Sequence, residues 1–224
     1  MTSVRFVLFD AVGTLIFPQP SVAEVYAAHG QCFGSRLTAP EIQTRFRTAF
    51  VRTTKHEPIS EAGERERWRQ IVREIFDDVA AVEDGLFGSL WQHFAEGQHW
   101  ALFDDVPAAW QSLTQSGFKL GIASNFDARL HDVCRHLPPL DACTLRFVSS
   151  EVGFAKPDPR FFTAVAERLA ASPQELLLVG DDPRCDYEPA LAAGWQALQI
   201  DRQAMCPTAE VISDLRDLLP LLAG

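Results

Sequence analysis

Residues 5–15 read Arg5-Phe6-Val7-Leu8-Phe9-Asp10-Ala11-Val12-Gly13-Thr14-Leu15. An apolar run built from Val and Phe that stops at a carboxylate and then a glycine has the pattern of a strand buried on both faces, ending at a polar rim. Runs of the same kind recur at 118–123, 145–148, 176–179 and 196–200. Helical patterns lie between them: Val106, Trp110 and Leu113 before Gly117, then Phe161, Phe162, Val165 and Leu169 after Pro157-Asp158-Pro159. Strands alternating with helices predict an α/β, Rossmann-like core with a doubly wound parallel sheet.

One stretch breaks the alternation. From Pro18 to Trp100 no strand-like run occurs, and the periodicity is helical. From about Glu64, the residues Trp68, Ile71, Val72, Ile75 and Phe76 share one helix face, with Arg65, Arg69 and Arg73 on the other. Ile42, Phe46 and Phe50 mark a second helix, and Leu86, Leu90, Trp91 and Phe94 a third. The expected organisation is therefore a core made of 1–17 and 101–224, interrupted by a helical insertion at 18–100, whose aromatics pack a small bundle.

In an open parallel sheet, ligands sit beyond the carboxyl ends of the strands. Asp10, followed by Gly13 and Thr14, leaves the first strand. Ser124 and Asn125 leave the second, and the third leads through Ser149, Ser150 and Glu151 to Lys156. Asp181, Asp182 and then Asp186 follow the fourth. Singly, such residues serve as turn formers or helix caps. Together they bring a nucleophile, a hydroxyl, an ammonium and an acidic cluster to one rim.

Composition bounds the partners. The 224 residues, 47% of them hydrophobic, can bury a real core, and the formal net charge of −10 repels a polyphosphate backbone, so nucleic acid is not an expected partner. The first apolar run is far too short for a signal-peptide core, and no stretch approaches the ~18 apolar residues of a membrane span; a cytoplasmic protein without a membrane partner is expected. The five cysteines, Cys32, Cys134, Cys143, Cys185 and Cys206, are odd in number and scattered, as for reduced thiols.

The segments Phe9-Asp10-Ala11-Val12-Gly13-Thr14-Leu15, Ala123-Ser124-Asn125, Lys156-Pro157-Asp158 and Val179-Gly180-Asp181-Asp182 resemble the four ordered motifs of the haloacid dehalogenase superfamily, and the insertion is similar to its helical type 1 cap. The first box is closest to a small phosphatase-like subgroup. The resemblance implies a hydrolase, phosphatase-like, acting on a small phosphorylated molecule. Asp10 would attack phosphorus to give an aspartyl-phosphate. Mg²⁺ would be held by Asp10, the Val12 carbonyl and Asp181, with Asp186 or its neighbour Asp182 completing the shell. Ser124 would donate to a phosphoryl oxygen and Lys156 would neutralise the charge in transit. Thr14, Gly13 and Asn125 would shape the loops that bind the substrate.

One position departs from the pattern. Phosphatases of this superfamily usually carry a second Asp two residues after the nucleophile, where this chain has Val12. Losing a general acid-base costs ~10²- to 10⁴-fold, or about 3 to 5 kcal/mol of barrier. Two alternatives follow: a 2-haloacid dehalogenase, which needs no acid but uses an aromatic residue there and no metal, or a catalytically weak binding protein. The acidic cluster favours the metal-dependent reading, because three carboxylates without a cation would repel a haloacid.

Overall fold

A computed structural model describes residues 4–53, 59–80, 82–204, 208 and 210–223. Cys206 therefore lies outside the described residues, and Cys32, Cys134, Cys143 and Cys185 are free thiols. The chain runs β1 (Phe6–Phe9), β2 (Ile16–Pro18), α1 (Val22–Cys32), α2 (Ala39–Arg52), α3 (Glu61–Ile75), α4 (Phe87–His93), β3 (Trp100–Leu102), α5 (Val106–Gln115), β4 (Lys119–Ser124) and α6 (Arg129–Arg135). It continues through β5 (Leu145–Val148), α7 (Ser149–Val152), α8 (Pro159–Leu169), β6 (Leu176–Gly180), α9 (Glu188–Ala192), β7 (Gln196–Ile200), β8 (Val211–Ile212) and α10 (Leu218–Ala223).

Six strands form one parallel sheet in the order β5-β4-β1-β6-β7-β8, an α/β, Rossmann-like fold. All four residues of β1 are buried, which is why its sequence is apolar without alternation. Val7 and Phe9 join one cluster with α5 and α6, including Trp110, Leu113 and Val133. Phe6 and Leu8 join another with Phe161, Phe162 and Val165 of α8. Helices thus cover both faces. The chain leaves β1 toward β4 and β5 and later returns to β6 on its other side, so the carboxyl end of β1 is a topological switch point, where such sheets bind ligands.

The helices α1 to α4 carry a hydrophobic cluster of their own, centred on Tyr26, Ile42, Ile71, Ile75, Phe76 and Leu86. Their starts are specified locally: Ser21 and Glu24 form a capping box for α1, and Thr38 and Glu41 another for α2. Arg65 and Arg69 of α3 do not simply face water. Their guanidinium groups lie 5.3 Å from the Trp91 ring and 4.9 Å from the Phe87 ring. The antiparallel pair β2–β3 stands where the chain enters and leaves this helical stretch. Among the described residues, no helix is long and apolar enough to cross a membrane.

Candidate active site

Register aligns the rim. Phe9 pairs with Ile122 on one side and Val179 on the other, and the Asp10 amide donates to the Val179 carbonyl at 2.9 Å. Asp10, the end of β4 at Ser124 and the end of β6 before Asp181 therefore reach the same edge.

Lys156 arrives there from the loop after α7. Its backbone is clamped by Asn125: the Lys156 amide donates to Asn125 Oδ1 at 2.8 Å, and Asn125 Nδ2 donates to the Lys156 carbonyl at 2.7 Å. The ammonium has three donors, and all are used. Nζ donates to Asp10 Oδ1 at 2.8 Å, to the Ala123 carbonyl at 2.8 Å, and to Asp186 Oδ1. The Lys156 side chain is only 1% exposed, yet its pKa is raised, because Asp10 and Asp186 together outweigh the burial that opposes its charge.

Asp181 completes an acidic group. One carboxylate oxygen from each of Asp10, Asp181 and Asp186 lies within 4.8 Å of the others. Desolvation, reinforced by Asp10 and Asp186, pushes the Asp181 carboxyl up to about 6, and burial likewise raises Asp186 against the pull of Lys156. Three hard oxygen donors facing a single ammonium are short of positive charge, and a divalent cation such as Mg²⁺ fits that donor set.

Thr14 is fully buried, and its hydroxyl donates to Asp181 Oδ1 at 3.3 Å, so its side chain orients a carboxylate. Gly13 has φ +89°, and a Cβ there would collide with the Asp181 carboxylate; a Cβ on Gly180 would collide with that of Asp186. These two glycines let the acidic side chains come in close. Asp182 differs from Asp186: it accepts from the Arg184 and Cys185 amides at 2.8 and 3.2 Å and caps the turn that follows. Asp186 is therefore the partner brought to Asp10 and Asp181. Ser124 is buried at 2% exposure at the strand edge, whereas Val12 is 37% exposed and faces the helices α1 to α4.

Three residues of structural consequence escape sequence reasoning. Arg202 donates to the Thr14 carbonyl at 2.5 Å and the Gly13 carbonyl at 3.4 Å, bracing the loop after Asp10. Asp105 pairs with that guanidinium. Glu61, at the start of α3, accepts from the Ala128 amide at 3.0 Å and from the Ser150 hydroxyl, tying the helical stretch to the sheet's rim. Of the arginines in the helical stretch, Arg45 is paired with Asp77 and Arg52 lies 3.7 Å from Glu74.

The family model of haloacid dehalogenase-like hydrolases matches residues 4–194. The chain is similar to the haloacid dehalogenase-like hydrolase domain-containing protein 3 of Danio rerio, with 29% identity over 208 residues, covering 89% of this chain and 86% of that one. Among solved structures it is similar to a HAD phosphatase from Thermococcus onnurineus, at TM-score 0.72 and 22% identity over 99% of both chains. It is also similar to a defluorinating L-2-haloacid dehalogenase, at TM-score 0.75 and 20% identity over 99% of this chain and 96% of that one. At these identities the two structures show a shared fold.

Proposed function

Because the chain belongs to the haloacid dehalogenase-like hydrolases, we propose that it is a Mg²⁺-dependent phosphatase of small phosphorylated molecules, with Asp10 as the nucleophile. The observation that carries this reading is the junction of Lys156 with Asp10 and Asp186, beside Asp181. With a divalent cation added to the Lys156 ammonium, such a junction would carry the positive charge that a dianionic phosphoryl group needs, which a halide leaving group does not require. We assign 18–100 to a helical cap and 1–17 with 101–224 to the core, a division supported by the separate hydrophobic cluster of α1 to α4.

Lys156 holds Asp10 through Oδ1, which orients the carboxylate for in-line attack by its other oxygen. The Asp10–phosphorus bond forms as the ester bond breaks, and the leaving oxygen departs with the electron pair. Water then cleaves the aspartyl-phosphate and regenerates the carboxylate. Held by Asp10, Asp181, Asp186 and the Val12 carbonyl, Mg²⁺ would screen the repulsion between carboxylate and phosphate. The Lys156 ammonium offsets charge on the group in transit, Ser124 donates to one of its oxygens, and Thr14 and Asn125 keep Asp181 and Lys156 in place.

The test is turnover of p-nitrophenyl phosphate with Mg²⁺, against 2-chloropropionate without metal. Phosphate release that disappears in Asp10→Asn while the circular dichroism is unchanged is the expected result. Metal-free dehalogenation without phosphate release would replace this reading.

A further inference from the structure

The cleft between the α1–α4 helices and the strand ends holds two adjoining cavities that share Phe50, Trp68, Asn125, Phe126 and Arg129 and differ in how many charged side chains they carry. One, of about 360 Å³, reaches Lys156 and carries the charged side chains of Glu64, Asp127 and Arg67. The other, of about 290 Å³, opens beside Val12 and is walled by rings, among them Tyr26, Phe46, Trp68, Phe94 and Trp100. These rings support one another: Tyr26 meets Phe46 edge-on at 5.7 Å and Phe94 at 5.9 Å, and Phe46 lies 6.2 Å from Trp68.

The amide and the guanidinium lining this second cavity are committed elsewhere. Asn125 spends both its amide oxygen and its amide nitrogen on the Lys156 backbone. Arg129 donates twice to Asp127, each at 2.7 Å, and lies 3.5 Å from the Trp91 ring. The hydroxyls of a sugar would enter such a cavity with few partners, and burying an unpaired hydroxyl is costly. A flat apolar group would replace poorly hydrated space with ring contacts.

Val12 links this cavity to the chemistry, because it lines the cavity and stands two residues beyond Asp10. An ester whose phosphorus lies in line with Asp10 can therefore extend its organic half past Val12 toward the aromatic walls. That side chain has no proton to give. Phenols ionise near pH ~10, as the Tyr side chain does, whereas water ionises near ~15.7 and simple alcohols resemble it, so an aryl oxide departs with far less need of an acid.

We propose that the substrate is an aryl phosphate monoester, whose aromatic half fills the cavity above Val12. The inference rests on the phosphatase reading and adds the substrate class. Asp10 takes the phosphoryl group, the aryl oxide leaves with the P–O electron pair and collects a proton from water, and a second water releases inorganic phosphate from Asp10. Together these steps convert ester and water into phenol and phosphate.

The experiment uses the full chain with Mg²⁺ and two pairs of esters matched in leaving-group chemistry: phenyl against 2-naphthyl phosphate, and glycerol against octyl phosphate, with p-nitrophenyl phosphate as reference. The larger apolar member of each pair should have a kcat/KM about tenfold higher or more, as an added apolar surface gives in a fitted pocket. Phe50, which also lines the cavity and is 38% exposed, allows a variant that folds. Phe50→Ser should bring the naphthyl-to-phenyl ratio toward one, and Trp68→Ala should do so further. Metal-free calorimetry should also detect 2-naphthol binding that weakens in both variants. Turnover of p-nitrophenyl phosphate with ratios near one in both pairs and no naphthol binding would overturn this inference and leave the phosphatase reading standing. Absence of Mg²⁺-dependent turnover on every ester would overturn both.

Discussion

Arg202 grips Asp105 with both carboxylate oxygens in reach of one nitrogen, Nη1 at 3.1 Å from Oδ1 and 2.9 Å from Oδ2, while the same guanidinium holds the Gly13 and Thr14 carbonyls. Asp105 is 3% exposed and also accepts from the Leu215 amide at 2.7 Å. The pair therefore braces the loop that follows Asp10. Arg202→Met should destabilise the fold by about 3 to 5 kcal/mol, because it strands a buried carboxylate. It should also lower kcat more than it raises KM, since Thr14 would lose its hold on Asp181. Arg202→Lys should recover stability only in part, lacking the fork that reaches acid and carbonyls together. Urea unfolding and steady-state kinetics on both variants check this, and equal kcat values would restrict Arg202 to a purely structural part.

The division of labour between Asp181, Asp182 and Asp186 can be read by calorimetry. Asp181→Asn should weaken Mg²⁺ binding by tenfold or more, since it removes one of three clustered carboxylates. Asp182→Asn should change the affinity much less, because Asp182 is engaged with the Arg184 and Cys185 amides and an amide oxygen can still accept there. The opposite order would make Asp182 the ligand.

How far the sequence reveals this site depends on separation along the chain. Asp10, Ser124 and Asp181 are legible because each ends an apolar strand, and parallel strands in register must deliver their ends to one edge. Lys156 and Asp186 follow at short distance from such ends. Arg202 and Asp105 lie 97 residues apart and Glu61 and Ala128 are separated by 67, so their pairing exists only once the sheet is wound. The helix α1 is missed because Ala, Gly and His dilute its apolar face, although Ser21 with Glu24 spelled a capping box in advance. Strands β2, β3 and β8, of three, three and two residues, are too short to show any period.

A cluster of imidazoles should make the protein acid-sensitive. The His93 ring stacks on His99 at 3.7 Å and meets His29 edge-on at 5.1 Å, while His29 Nδ1 lies 2.8 Å from the Ser89 hydroxyl. Burial, then repulsion from His99 and His29, holds His93 down at about 4 from its ordinary 6.5, with Glu96 opposing weakly, and His29 is lowered in the same way. A histidine depressed in the native state leaves the unfolded chain binding more protons between the two values. Stability should therefore be fully present above pH 6.5 and fall as the pH drops toward about 4. Urea midpoints across that window should fall less steeply in His93→Gln than in the parent protein. Identical slopes would remove His93 as the source.

Val12→Asp restores the carboxyl that phosphatases of this family usually carry, and its consequence depends on what must leave. A sugar or alkyl oxide is a strong base and needs a proton in the transition state, whereas a nitrophenolate or a carboxylate departs largely unaided. The parent protein should therefore show a steep dependence of rate on leaving-group pKa. Val12→Asp should flatten it by raising alkyl ester rates ~10²-fold or more, toward the ~10⁴-fold upper end of acid-base catalysis. The site can accept the change, since Val12 is already 37% exposed and Asp is close to Val in size. The cost should fall on recognition, because a carboxylate beside Tyr26 and Trp100 puts charge at the mouth of an apolar cavity. KM for 2-naphthyl phosphate should then rise while kcat for glycerol phosphate increases. The measurement is a series of aryl and alkyl phosphates at saturating Mg²⁺ with both proteins. A shallow dependence in the parent would mean that ester cleavage is not the limiting step or that another group already supplies the proton, and Val12 would lose its place as the residue that sets leaving-group preference.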